Sequence, residues 1–247
     1  MELTTMKLIC VPFAGAGASF YHGWAHAGFS AFKLSPVMLP GRERLIAEPP
    51  FTCLQKAAGE LAGNILAEVG GAGDEALIVF GHCFLGSVLA YEITHRLIAA
   101  KPGLVRHLVV SASRVPEISR QLGTGSMSDD AFLELVKSTT GYTHEAMDIP
   151  EMRELLLPPL RADFIMDETY VSSGVRKLPV PITAIAADQD ALVAREEVMA
   201  WSDYTSSSFT LKDVRGGHMY LASDPSELFA ILAEIGAEAG EARYAAV

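Results

Sequence analysis

Cysteine is scarce in this chain, and the three present, Cys10, Cys53 and Cys83, lie too far apart to make a disulfide framework or the closely paired ligands of a zinc site. At most one of them is expected to do chemistry, and no metal is expected. Long apolar runs are missing too: no stretch approaches the length of about eighteen residues that a membrane span requires, and no basic segment leads into an apolar core as in a secretory leader. Positive charge is in deficit, with 19 Lys and Arg against 30 Asp and Glu and a formal net charge of −11. Such a field opposes a sequence-independent hold on nucleic acid or anionic lipid. No internal repeat is present. These absences point to a soluble, cytoplasmic protein with neither nucleic acid nor membrane among its partners.

What the chain does have is core material, since half of its 247 residues are hydrophobic. That suits one domain over 1–247 with a modest insertion. Apolar runs of strand length alternate with segments of helical period, the pattern of a mostly parallel α/β sheet with helices on both faces. Strands are expected at Lys7 to Phe13, Leu34 to Leu39, Ala76 to Gly81, Leu104 to Ser111, Val180 to Ala187 and Phe209 to Val214. Thr52 and Gln55 form the pattern of a capping box ahead of Leu54, Ala57, Ala58, Leu61, Ile65 and Leu66. Asp224, Pro225 and Glu227 signal the start of a last helix that should end near Gly236 or Gly240, with a fraying tail. From Pro116 to Leu160 the strand rhythm fails, and Ser128, Asp129 and Asp130 open a short helix. This stretch is the candidate lid.

The chemistry concentrates where Ala76-Leu-Ile-Val-Phe80 runs into Gly81-His82-Cys83-Phe84-Leu85-Gly86, followed by a helix from Ser87 to Leu97. A nucleophile on such a strand-turn-helix elbow has a strained backbone, needs small neighbours, and sits where a helix N-terminus stabilises an anion. Free cysteines are often no more than small buried hydrophobes, but this context favours Cys83 as nucleophile. The segment departs twice from Gly-x-Ser-x-Gly: cysteine replaces serine, and Leu85 occupies the second glycine's place, with Gly86 one residue late. An extra residue turns a helix by about 100°, so an irregular first turn near Phe84 and Leu85 is expected.

A thiolate nucleophile needs a proton shuttle, and His218, framed by Gly216 and Gly217 after the last strand, is the best placed histidine. A carboxylate from Ala186-Ala-Asp-Gln-Asp-Ala-Leu-Val193 can orient it, which gives the chain order nucleophile, acid, base. Asp190 is preferred to Asp188 because it immediately precedes the Ala-Leu-Val turn. His82 adjoins the nucleophile on a sharp turn and is assigned packing or hydrogen bonding. An oxyanion hole needs two backbone N–H groups, for which Phe84 and either Ala14 or Phe13 are the candidates. The loop Pro12-Phe-Ala-Gly-Ala-Gly17 lacks the Gly-Lys-Ser/Thr ending of a P-loop and the full dinucleotide fingerprint.

With Val11-Pro-Phe-Ala-Gly-Ala-Gly-Ala-Ser-Phe-Tyr21, Leu39-Pro-Gly-Arg-Glu-Arg44, Ala90-Tyr91-Glu92, Leu160-Arg-Ala-Asp-Phe164 with Glu168 and Tyr170, and Gly216-Gly-His218, the chain resembles the type II thioesterases of nonribosomal peptide and polyketide synthases over nearly its whole length. The resemblance implies an α/β-hydrolase fold, a triad of Cys83, His218 and Asp190, a mobile lid over an acyl chamber, and substrate contacts from Phe13 and Arg42. It implies no cofactor of the enzyme's own; the phosphopantetheine arm comes with the substrate, an acyl or aminoacyl group on an acyl or peptidyl carrier protein. Such carriers are usually acidic, so a local basic patch is expected, with Arg42, Arg44, Arg161 and Arg176 as contributors. An acyl-cysteine is itself a thioester and remains reactive towards amines and alcohols. Acyl transfer or cyclisation therefore stands beside hydrolysis, and a catalytically impaired carrier-binding subunit stands as a third reading that rests on the altered elbow.

Overall fold

A computed structural model of the chain describes residues 6–69, 76–118, 121–140 and 145–244. Its centre is a six-stranded sheet made of β1 (Lys7–Val11), β2 (Lys33–Pro36), β3 (Leu77–His82), β4 (Val105–Ser111), β5 (Ile182–Ala187) and β6 (Phe209–Val214), in the order β2-β1-β3-β4-β5-β6. Every neighbouring pair is parallel. All six strands fall where hydrophobic patterning put them, with ends shifted by up to three residues. The central strand β3 is buried along its whole length, as a strand covered on both faces must be.

Strand period 2 divides the apolar residues between two cores. Ile9, Val11, Leu77 and Val79 face one core, which α2 (Leu54–Val69) and α3 (Cys83–Ala100) cover. Leu8, Cys10, Ile78 and Phe80 face the other, under α1 (Ala18–His26) and α8 (Ser226–Tyr244). Between β4 and β5 the chain leaves the sheet and forms α4 (Asp129–Thr140) and α5 (Pro150–Thr169). Phe132 and Val136 of α4 pack on Leu157 and Leu160 of α5 in a small core of their own. Two short helices, α6 (Arg195–Met199) and α7 (Tyr220–Ser223), follow β5 and β6. No helix among the described residues is long and apolar enough to cross a membrane.

Several expectations need correction. The capping box does not form: Ala57 N–H bonds Cys53 O, and the Gln55 amide donates to Val171 O. The last helix passes both Gly236 and Gly240 to reach Tyr244, because Ala and Glu after Ile235 are strong helix formers. Gly236 sits so close to Phe32 that an added Cβ would come within 2.6 Å of its ring. It is a packing glycine, not a terminator. The proposed lid boundary at Leu160 falls inside α5, whose second half carries the inward-facing Leu160, Ala162, Asp163 and Met166.

The irregular turn expected near Phe84 and Leu85 is absent, since α3 runs on as an unbroken α-helix after Cys83. The late glycine explains how. A Cβ on Gly81 would lie 2.2 Å from Gly86 O, and one on Gly86 would lie 3.3 Å from the carbonyl oxygens of Val11 and Pro12. Gly86 thus provides the close approach of helix to β3 and to the end of β1 while Leu85 packs into the core. Gly81→Ala is expected to lower stability by about 3 kcal/mol or more, because only backbone could yield, and Gly86→Ala by about 1 kcal/mol. Urea unfolding of both variants measures this, and equal losses would refute the assignment of the tighter approach to Gly81.

Candidate active site

β3 passes into α3 with no intervening loop, so Cys83 must take φ +60°. A non-glycine residue held there is strained and persists because its surroundings over-determine it. The half-buried sulfur lies at the N-terminus of an eighteen-residue helix, where unpaired N–H groups favour negative charge.

The C-terminal ends of parallel strands gather on one edge of the sheet, and ligand sites form there. Asp190 follows β5 and His218 follows β6. His218 Nδ1 donates to Asp190 Oδ2 at 2.8 Å, and both side chains are almost wholly buried. The other oxygen of Asp190 accepts from the N–H groups of Leu192 at 2.8 Å and Val193 at 3.1 Å. Asp188 turns away and accepts from Gly216 N–H at 2.8 Å. Of the two candidate carboxylates, Asp190 meets the imidazole and Asp188 holds its loop.

His218 Nε2 is buried, and Cys83 is a neighbour of the imidazole. Burial alone would depress the His218 pKa, but the charge of Cys83 and then the bonds and charge of Asp190 outweigh it, and the value is pushed up to about 10. His82 behaves oppositely: burial, and after it the neighbouring His218, hold its pKa well below the ordinary value. Its Nδ1 lies 3.0 Å from Ser111 Oγ, which in turn lies 2.8 Å from Tyr220 OH. This matches the packing and hydrogen-bonding role expected of His82.

The first loop is fixed from two sides. Arg42 donates to both oxygens of Asp163 on α5, at 2.8 and 2.7 Å, and to Ala16 O at 2.7 Å. Asp163 also accepts from Gly15 N–H at 2.8 Å, and Gly15 has φ +81°. Glu43 accepts from Ala18 and Ser19 N–H at 3.0 and 2.8 Å, covering the free donors at the start of α1. Asp163 and Glu43 received no role from sequence reasoning. The available signal was a charged pair in Leu39-Pro-Gly-Arg-Glu and an aspartate set between Ala162 and the apolar Phe164-Ile-Met166.

A cavity of about 560 Å³ opens over Cys83 and His218 and runs beneath α4 and α5. Phe13, Ala14, Phe84 and Arg42 all line it. The expected basic patch does not form as drawn. Arg42 is buried against Asp163, Arg161 bonds Thr124 O and Asp129, and Arg176 pairs with Glu92. Arg44 is exposed. Acidic partners consume these charges because a buried or half-buried guanidinium must be compensated. No cluster of His, Cys, Asp and Glu suited to a metal ion occurs among the described residues.

The thioesterase domain family model matches residues 6–237. The chain is 32% identical over 220 residues to thioesterase PikA5 of Streptomyces venezuelae, an alignment covering 88% of this chain and 76% of that protein. Among solved structures it resembles the RedJ thioesterase from the prodiginine pathway of Streptomyces coelicolor, with a TM-score of 0.81, 31% identity, and coverage of 93% and 90%. The type II thioesterase BorB from the borrelidin biosynthetic cluster gives a TM-score of 0.81 and 32% identity over 94% and 93% of the two chains.

His218 should remain an imidazolium at pH 8 and titrate near pH 10. Because this pKa is raised above its ordinary 6.5, the stability it contributes is complete below about pH 6.5 and is lost as pH rises through about 10. Cys83→Ala should lower the pKa. NMR titration of the ring protons reads both, and a wild-type ring that deprotonates below pH 7 would contradict the ion pair. Asp163→Ala, which strands Arg42, is expected to cost about 3–5 kcal/mol in urea unfolding.

Proposed function

The chain belongs to the thioesterase domain family, and from that premise we propose that it releases acyl groups from carrier-protein thioesters of polyketide or nonribosomal peptide assembly through an acyl-Cys83 intermediate. The observation that carries this reading is that Cys83 and His218 line one largely apolar cavity, with Asp190 bonded to His218 Nδ1 behind it. Relatives named as thioesterases of such pathways supply the substrate class.

His218 rests as an imidazolium, and Cys83 reacts as its thiolate, the nucleophilic form of a cysteine. The thiolate adds to the substrate's thioester carbonyl, and the oxyanion is received by the N–H of Phe84 and that of Ala14. Collapse breaks the carbonyl–sulfur bond to pantetheine, whose sulfur takes the proton from His218 Nε2 and leaves as a thiol. The imidazole, now neutral and held by Asp190, removes a proton from water as the water adds to acyl-Cys83. The second collapse yields the free acid, releases the Cys83 sulfur and leaves the proton on His218. α4 and α5 act as the lid, and Phe13 packs against the acyl group near the sulfur. Arg42 acts from the cavity wall by holding the first loop.

The non-catalytic reading depended on a disrupted elbow, and α3 is regular there. Transfer to an amine or alcohol has no feature of the cavity in its favour; it rests on the chemistry of an acyl-cysteine alone. Intact-protein mass spectrometry of the wild type, Cys83→Ala and His218→Ala mixed with acyl-pantetheine tests the reading. A Cys83-dependent acyl adduct that decays to free acid in the wild type is expected. His218→Ala should slow turnover by a factor of at least about 10². An adduct that persists until an amine is added would replace hydrolysis by transfer, and no adduct from any acyl donor would sink both.

A further inference from the structure

We infer that the cavity is selective for uncharged aliphatic acyl groups and discriminates against α-aminoacyl groups. This rests on the thioesterase reading above and narrows its substrate class.

The cavity's far wall comes from the lid helices, with Leu133 and Val136 of α4 and Met152, Leu156, Leu160 and Phe164 of α5. Charged side chains also line it, but each is committed elsewhere. Asp163 is bound by Arg42 and by Gly15 N–H. Asp167 receives Arg114 at 3.1 Å, and that guanidinium also lies 4.0 Å over the Phe84 ring. Glu43 covers the N–H groups of Ala18 and Ser19. Asp163 and Asp167 are each neutralised by a guanidinium and Glu43 is turned to the backbone N–H groups at the start of α1, so the wall offers an ammonium little uncompensated negative charge, and burying an ammonium without a partner is costly. A plain alkyl chain meets no such obstacle and gains from each methylene it buries. A methylene needs roughly the 30 Å³ that a water takes in the liquid, so 560 Å³ accommodates an eight-carbon chain.

The test uses the pantetheine thioesters of 4-methylpentanoate, leucine and 2-hydroxy-4-methylpentanoate, which share a skeleton and differ only at the α-carbon. Each kcat/KM is divided by the uncatalysed hydrolysis rate of the same thioester at the same pH. At pH 6, where an α-amino group is charged, the 4-methylpentanoyl thioester should exceed the leucyl one by about 100-fold or more. The hydroxy compound should fall within about tenfold of the former. At pH 9 the leucyl deficit should narrow as its amine loses the proton. Across butanoyl, hexanoyl and octanoyl thioesters, kcat/KM should rise about fourfold per methylene. A leucyl thioester turned over as fast as its 4-methylpentanoyl counterpart would overturn the selectivity and leave the thioesterase intact. A hydroxy compound as poor as the leucyl one at both pH values would overturn charge as its cause. If every thioester were inert and Cys83 took up no acyl group, the thioesterase reading itself would fall.

Discussion

The ion pair between Arg42 and Asp163 is the contact on which the reactive edge of the molecule depends. It joins three segments that share no secondary structure: the first loop through Ala16 O and Gly15 N–H, the Leu39-Pro-Gly-Arg-Glu loop that carries the arginine, and the middle of α5 that carries the aspartate. Both side chains are withdrawn from water, and desolvation makes such a pair a poor source of net stability against an apolar replacement. Its value lies in geometry. A planar guanidinium bonded to both oxygens of one carboxylate fixes direction as well as distance, and a glycine-rich loop that would otherwise sample many conformations is held to one. The same bond holds the middle of α5, so the first loop and α5 share a single anchor.

The elbow is a second constraint and depends on contacts of a different kind. The positive φ of Cys83 is a local strain, and it is sustained by packing over the whole length of α3. From Phe84 to Thr94 no side chain of that helix reaches solvent, which is the condition of a helix enclosed on every side. Glu92 is part of this enclosure, taking Arg96, Arg176 and the Tyr170 hydroxyl on its two oxygens. A helix so firmly placed keeps its N-terminus, and the sulfur there, at one position relative to the loops after β5 and β6.

Electrostatics then separates two histidines that lie close together, with ring centroids 5.3 Å apart. His82 is wholly buried beside hydroxyl groups and is held neutral, whereas His218 has Asp190 on one side and Cys83 on the other and is held charged. Divergent pKa values in neighbouring groups are a mark of sites built for proton transfer. The cavity continues the same division, with Arg42 and Arg114 paired to Asp163 and Asp167 in its wall and most of its remaining surface apolar.

The sequence by itself determined the strand order along the chain, the elbow, and the succession of cysteine, aspartate and histidine after β3, β5 and β6. These features are written in local period and in the rule that functional loops follow the carboxyl ends of parallel strands. The preference for Asp190 over Asp188 was also legible from its place before the Ala-Leu-Val turn, and the geometry brings Asp190 to His218. Only the tertiary structure decided that Arg42 points inward and not towards a carrier, that Asp163 is its partner from 121 positions away, and that α3 is regular despite Leu85. Helical and strand periods record which residues face a core, but they carry no trace of which buried charge meets which. An extra residue at a turn is likewise resolved by close backbone contacts, here at Gly81 and Gly86, that exist only once strand and helix have packed.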